Sequence, residues 1–94
     1  MSSINDNVGI EFIPQGNKII AGTDVAKIEK IIRDHLFSHS KEAYSKAKVK
    51  AVFSNQSVVS VIVYLSYKYT YTFETVKIEL DNFTVRSITR NYVE

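Results

Sequence analysis

The amino-acid sequence predicts an α+β fold in which one amphipathic helix packs on a four- to five-stranded antiparallel meander sheet. Two observations predict it. Apolar residues recur at spacings of three and four before Lys48, whereas after Lys48 they alternate with polar residues in twos. The chain also has only 94 residues, which suffice for one core. We therefore expect a single domain over residues 8–94, preceded by a flexible polar tail over residues 1–7.

Composition excludes several classes of protein. The chain is 45% hydrophobic and 23% charged, with no cysteine and a formal net charge of +2. These values are typical of a globular domain without disulfides, and the charge is too small to create a strong field of one sign. No apolar run reaches the roughly 18 residues that a membrane span needs. We expect a soluble, cytoplasmic protein that contacts no membrane and binds no cofactor.

Two short β-branched runs, over residues 8–13 and 18–21, predict a first strand or hairpin. Pro14 and Gly16 between them are typical of a turn, because proline fixes φ and glycine permits positive φ. A helix is expected next. The segment that ends in Asp24 offers a side-chain oxygen for the N-cap, and the carboxylate places negative charge at the positive end of the helix dipole.

The helix is predicted by Val25, Ile28, Ile32 and Leu36, which share one face at spacings of three and four. Charged residues occupy the opposite face. Residues 38–47 contain no β-branched side chain and are compatible with a continuation of the helix, although their serines favour a break. The sequence therefore leaves the end of the helix open.

Strands follow, with a turn predicted at residues 54–57. From Val76 onward the apolar face consists of even-numbered residues, and a strand changes face only through a turn or a bulge. We therefore expect a reversal or kink between Tyr69 and Thr75. The sequence leaves open whether residues 57–73 form one long strand or two. Before this change the apolar face consists of Val59, Val61, Val63, Leu65, Tyr67, Tyr69, Tyr71 and Phe73.

A further hairpin is predicted near the carboxyl end of the sheet. Asp81 and Asn82 are typical residues for a two-residue loop, which places Leu80 opposite Phe83. The apolar face changes phase once more after this hairpin. That change predicts a bulge near residues 86–87 in the last strand.

The order of a strand or hairpin, one helix and a four-strand meander resembles the cystatin-like arrangement. Cystatin protease inhibitors carry a Gln-x-Val-x-Gly hairpin after the helix, which enters a cysteine-protease cleft together with an N-terminal glycine and a second hairpin. Gln56 and Val58 stand at the corresponding place, and Gly9 precedes the helix. Ser60 replaces the glycine of the motif, and no Pro-Trp pair is present. The resemblance implies an inhibitor, although an ordinary hairpin explains the same residues.

Few residues point to catalysis or to a metal. There is no cysteine, no serine lies in a Gly-x-Ser-x-Gly turn, and the three glycines are too widely spaced for a phosphate-binding loop. His35, His39 and Glu42 have the spacing of metal ligands on one helical face, but no fourth ligand is evident. We predict no catalytic residue, no metal site and no enzymatic activity. A small enzyme with a pocket between helix and sheet is the weakest alternative.

Basic residues interleaved with tyrosines raise the alternative of nucleic-acid binding, because aromatic rings stack on bases and cations contact phosphates. The phase of the strand argues against it. Tyr67, Tyr69 and Tyr71 share the apolar face, whereas Lys68 points the other way. In this alternative, a weak nucleic-acid-binding module uses mostly six basic residues: Lys48, Lys50, Lys68, Lys77, Arg86 and Arg90.

The tyrosine-rich segment favours a protein partner. If residues 57–73 form one strand, its end projects past its neighbours and exposes apolar area and unpaired amides. A second copy of the chain, or another protein, covers such an end by pairing or packing, and tyrosine is favoured at interfaces. We predict a non-enzymatic binding or assembly domain, most simply a homo-oligomer, in which the partner contacts Tyr64, Tyr67, Tyr69 and Tyr71.

Overall fold

The computed structural model describes residues 4–5, 7–38 and 40–93. Within these residues one helix packs on a five-stranded sheet of order β1-β2-β3-β4-β5. The predicted α+β class, with one helix on a mostly antiparallel sheet, is confirmed. The elements are β1 (Ile10–Phe12), α1 (Gly22–Ile32), β2 (Tyr44–Ser54), β3 (Ser57–Tyr67), β4 (Phe73–Asp81) and β5 (Thr84–Val93).

The first strand differs from the predicted meander because it runs parallel to its neighbour. Ile10 of β1 pairs with Ala47 of β2 in a parallel register. Parallel neighbours need a crossover connection, and α1 supplies it between these two strands. Of the alternative first hairpin, only a single antiparallel bridge forms, between Gln15 and Lys18. The sheet is therefore mixed, because β1 is parallel and the other neighbours are antiparallel.

A π-helical turn at the end of α1 adds a buried ring to the apolar face. The turn spans Arg33–Phe37, and the N–H of Ser38 donates to the Arg33 carbonyl at 2.9 Å. In a π-turn a residue five positions along returns to the same face. Phe37 therefore joins Ile32 in the core, and both side chains are buried.

Both ends of the helix differ from the sequence-based expectation. The N-cap is Ala21, which makes no side-chain capping hydrogen bond, so the predicted cap is wrong. The helix does not continue over residues 38–47, because β2 begins at Tyr44. The buried ring of Tyr44 lies 5.2 Å from the Tyr67 ring and 5.6 Å from the Phe37 ring, between centroids. This aromatic packing stabilises an extended chain where the local sequence allows a helix.

The predicted reversal between Tyr69 and Thr75 is confirmed as the loop 68–72, which joins two strands. Residues 57–73 therefore do not form one long strand. The change of face occurs inside this loop. As a result Phe73 points to the outer face, opposite to the prediction, and Glu74 points into the core.

Both predicted hairpins form through two-residue turns. Asn55 and Gln56 make the first turn with φ of 52° and 68°, and Asn82 and Phe83 make the second with φ of 51° and 63°. Positive φ at both central residues matches the right-handed twist of the flanking strands. The second turn lies one residue later than predicted, so Asp81 belongs to β4.

The register of β5 reflects this shift. Leu80 pairs with Val85 rather than with Phe83, and Glu79 pairs with Ser87. Arg86 is left between these two pairs, so the predicted bulge near residues 86–87 is confirmed.

A second bulge lies at the start of β3 and was not predicted. Val52 pairs with Ser60 and Phe53 pairs with Val58, which leaves Val59 without a position in the ladder. Val58 is therefore buried and Val59 is exposed, the reverse of the predicted phase at this point.

The two faces of the sheet differ in composition. The inner face packs against α1, and the outer face carries mostly polar side chains. Burial of this one apolar face is the main favourable contribution to the fold. The buried apolar core comprises Val8, Ile28, Ile32, Leu36, Phe37, Tyr44, Ala47, Val49, Ala51, Val58, Val61, Val63, Leu65, Tyr67, Val76, Ile78 and Leu80.

Candidate functional site

One end of the sheet exposes several large apolar side chains. We define the loop end as residues 4–5, 42–43 and 68–72. Tyr69 is 80% exposed, Tyr71 is 96% exposed and Ile4 is 63% exposed. Ile4 and Lys68 line the same shallow cleft, so the N-terminal segment and the loop are neighbours. Apolar side chains that gather at one end in this way are typical of interaction sites.

Hydrogen bonds hold the loop against the start of β2. The Lys68 N–H donates to the Ala43 carbonyl at 2.8 Å, and the Tyr67 N–H donates to the Thr72 carbonyl at 3.4 Å. The Lys68 ammonium lies 5.7 Å from the centre of the Tyr69 ring, within the range of a cation–π contact. The exposed tyrosines are therefore carried by a loop whose backbone has defined partners.

Asn5 fixes the N-terminal segment to the same end. Its side chain is buried: the amide nitrogen donates to the Glu42 carbonyl, and the amide oxygen accepts from the Tyr44 N–H, both at 2.9 Å. The side chain thus takes the place of a peptide group beside β2. Asn5 belongs to the segment 1–7 that we predicted to be a flexible tail, of which residues 1–3 and 6 lie outside the described residues.

A buried carboxylate lies beneath the loop. Oε1 of Glu74 accepts a hydrogen bond from Arg90 at 2.9 Å, and Oε2 accepts one from the Tyr67 hydroxyl. These partners offset the cost of placing a charge on the inner face. Glu74 falls between the odd-numbered positions of the apolar face predicted up to Phe73, so the sequence predicts it on the solvated face. This is wrong because the strand reverses its phase just before Phe73.

The structure does not bring the four predicted tyrosines onto one surface. Tyr69 and Tyr71 lie together in the exposed loop. Tyr67 is buried in the core and is not available to a partner, whereas Tyr64 lies on the outer face of β3. The four separate because the chain leaves the strand after Tyr67.

The three residues of the alternative inhibitory hairpin do not share one surface, because Gln56 and Val58 line one groove whereas Gly9 lies at the other end of β2. Gln56 occupies an exposed turn, and the side chain of Val58 is buried. The Gly9 carbonyl accepts from the Ala47 N–H, which places Gly9 about 25 Å along β2 from that turn. The second hairpin does lie beside the first, since Gln56 and residues 80–83 line one groove.

The basic residues separate in a similar way. Lys68 lies at the loop end, Arg86 lies in the β5 bulge, and Arg90 turns inward to Glu74. Lys46 joins the outer face but was missed, because residues 38–47 were compatible with a helix. The basic residues that were predicted and do share the outer face are Lys48, Lys50 and Lys77.

Two of the three candidate metal ligands lie among the residues that the structure describes. His35 and Glu42 are exposed, and His39 lies outside the described residues. Among residues 4–5, 7–38 and 40–93, no three His, Asp or Glu side chains come together as metal ligands. In the same part of the chain, no helix is long and apolar enough to cross a membrane.

The fold and the site define a small α+β domain with an exposed aromatic end. Comparison of the chain with protein-family models, with curated protein sequences and with solved structures gave no match.

Proposed function

We propose that this protein is a non-enzymatic assembly domain that binds a second copy of itself through the loop end. The exposure of Tyr69 and Tyr71, on a loop held by backbone hydrogen bonds, supports the proposal. Tyrosine buries a large area with few rotatable bonds, so an ordered pair of exposed tyrosines is suited to a protein contact.

The charges at the loop end favour a second copy over an unrelated partner. Lys68 lines a cleft with Ile4, and Glu42 lines a separate cleft with Thr70 on the same loop. A two-fold dimer places the same patch on both sides of the interface. Lys68 of one copy is then available to Glu42 of the other, so the patch contains charges of both signs that complement each other.

The mass of the chain in solution tests this proposal. We expect a mass above the 10.7 kDa of one chain by light scattering. Changing both Tyr69→Asp and Tyr71→Asp is expected to return the mass to that of a monomer, because two carboxylates cannot be buried cheaply in the contact. Ile19→Asp is the matched control. Ile19 is 92% exposed but lies beside Gln56 at the hairpin end, which we define as the end of the sheet with the turns at residues 55–56 and 82–83.

The control variant should keep the mass of the unchanged chain. A monomer mass at about 1 mM protein, where even a weak dimer with a Kd near that value forms, contradicts the proposal. Equal dispersal by Ile19→Asp contradicts it as well. Circular dichroism of each variant establishes that the fold is retained.

A cystatin-type inhibitor is the second candidate. It is supported by the position of the two hairpin turns, since Gln56 lines one groove with residues 80–83. The test is inhibition of a cysteine protease of the papain class. Inhibition that Gln56→Ala weakens, while Tyr69→Asp leaves it unchanged, favours this candidate over assembly at the loop end.

A further inference from the structure

A row of lysines on the outer face takes no part in the proposed assembly site. Lys46, Lys48 and Lys50 alternate along β2, and all three are exposed. Alternate residues of a strand point to the same face about 7 Å apart. β2, the second strand of the sheet, therefore presents three positive charges in a line on the outer face.

Acidic residues leave this row largely uncompensated. Glu79 on β4 lies 3.5 Å from Lys77 and pairs with it rather than with the row. Glu11 on β1 is the strand neighbour of Lys48. Among the described side chains, no carboxylate lies within ion-pair distance of a lysine of the row. The row is therefore available to a ligand with several negative charges.

Two aromatic rings lie on the same face, one on the strand next to the row and one on the strand after that. Tyr64 on β3 pairs directly with Lys48 and is 41% exposed, and Phe73 on β4 is 53% exposed. Because Tyr64 pairs with Thr75 and Phe73 pairs with Ser66, the two rings are diagonal neighbours across the strands. Diagonal neighbours lie about 7–8 Å apart, within reach for aromatic side chains.

We propose that the outer face binds single-stranded nucleic acid, with phosphates on the lysine row and bases on Tyr64 and Phe73. The lysine spacing is close to the separation of successive phosphates in an extended strand. Every base has a flat face, so stacking on the two rings does not depend on sequence. A double helix hides those faces, and the acidic side chains of a protein segment have no ring to stack on Tyr64 and Phe73. The chemistry of the face therefore favours a single strand.

Fluorescence anisotropy with labelled oligothymidylate and oligouridylate tests this site. We expect both to bind at low salt, and a tighter complex with oligouridylate indicates contacts to the 2′-hydroxyl. For three phosphate contacts, affinity should fall about 20-fold between about 50 mM and about 200 mM salt. An unlabelled duplex of the same length is expected to compete less well than a single strand.

Variants separate the two parts of the site. Lys48→Glu with Lys50→Glu should weaken binding at least about tenfold, because two phosphate contacts become repulsive. Tyr64→Ala should weaken it at least about fivefold, whereas Tyr64→Phe keeps the ring and the affinity. The control is Lys27→Glu with Lys41→Glu, on α1 and the segment after it, which changes the net charge by the same amount as the row variant. It should change affinity about twofold or less, because salt screens charges that are distant from the ligand.

Three results overturn the proposal. The first is no binding of either oligonucleotide at low salt. The second is a control variant that loses as much affinity as the row variant. The third is competition by polyglutamate as strong as that by the oligonucleotide, which assigns the face to acidic proteins. The variant with Tyr69→Asp and Tyr71→Asp should still bind, so failure here is distinguishable from failure of assembly at the loop end.

Discussion

The two ends of the sheet are held together in different ways. At the hairpin end, short turns join neighbouring strands through positive φ at residues such as Asn55 and Asn82. At the loop end, the connection is longer, and the side chains of Asn5 and Glu74 hold the surrounding segments. The hairpin end therefore depends on local turn chemistry, whereas the loop end depends on contacts between residues that are distant in sequence.

This difference connects stability with the proposed assembly. The loop end uses buried polar side chains to hold segments that expose Tyr69, Tyr71 and Ile4. Buried polar groups stabilise a structure only when each has its partner, so such anchors define one geometry. Substitutions at the two ends should therefore differ in size, and the comparison is tested from the largest effect to the smallest.

The largest effect is expected for Glu74→Ala, in β4 directly beneath the loop end. The substitution removes the carboxylate that accepts hydrogen bonds from the Tyr67 hydroxyl and the Arg90 guanidinium on the inner face. We expect a loss of about 2–3 kcal/mol in the free energy of unfolding, measured with urea. The control Glu79→Ala breaks an exposed pair with Lys77 and a long, exposed hydrogen bond from Ser87 at 3.4 Å, and it should cost about 0.5 kcal/mol or less. Equal losses for the two variants would contradict the comparison.

An intermediate effect is expected for Asn5→Ala. The change removes two hydrogen bonds to the start of β2 and should cost about 1–2 kcal/mol. Hydrogen exchange of the Tyr44 amide should accelerate, because its acceptor is lost. Asn7→Ala is the control, since Asn7 is exposed and its change should stay within about 0.5 kcal/mol. An unchanged Tyr44 exchange rate would show that Asn5 is not an anchor.

The smallest effect, of opposite sign, is expected at the hairpin end. Gln56 has φ of 68°, a conformation that glycine adopts without steric cost. Gln56→Gly should therefore raise the free energy of unfolding by about 0.5–1 kcal/mol. Asn55→Gly should have a smaller effect, because asparagine tolerates positive φ. A clear loss of stability for Gln56→Gly would mean that its side chain holds the turn.

The parts of the fold that could be predicted are those with a local signal. The helical stripe up to Leu36 and the turn at residues 54–57 are visible in neighbouring residues, and both are confirmed. The parallel register of β1 is different. A three-residue strand has too short a pattern to indicate its partner or direction, and only the crossover through α1 decides it.

The candidate site was harder to predict, for the same reason. The tyrosines were recognised as unusual, but their separation depends on where the chain leaves β3, and no glycine or proline marks that place. The hydrogen bond that the Tyr44 N–H donates to the Asn5 side chain joins residues 39 positions apart, so no local pattern reveals it. Lys46 was missed because the packing of Tyr44 against Tyr67 converts a helix-compatible segment into a strand.

Amide spectra of the isotope-labelled chain at low and high concentration test the assembly surface most directly. We expect concentration-dependent shifts at residues 42–43 and 68–72, because these residues enter the contact between two copies. The turns at Asn55 and Asn82 should keep their positions at both concentrations. Shifts confined to those turns or to β5, with unchanged signals from Tyr69 and Tyr71, would contradict assembly through the loop end.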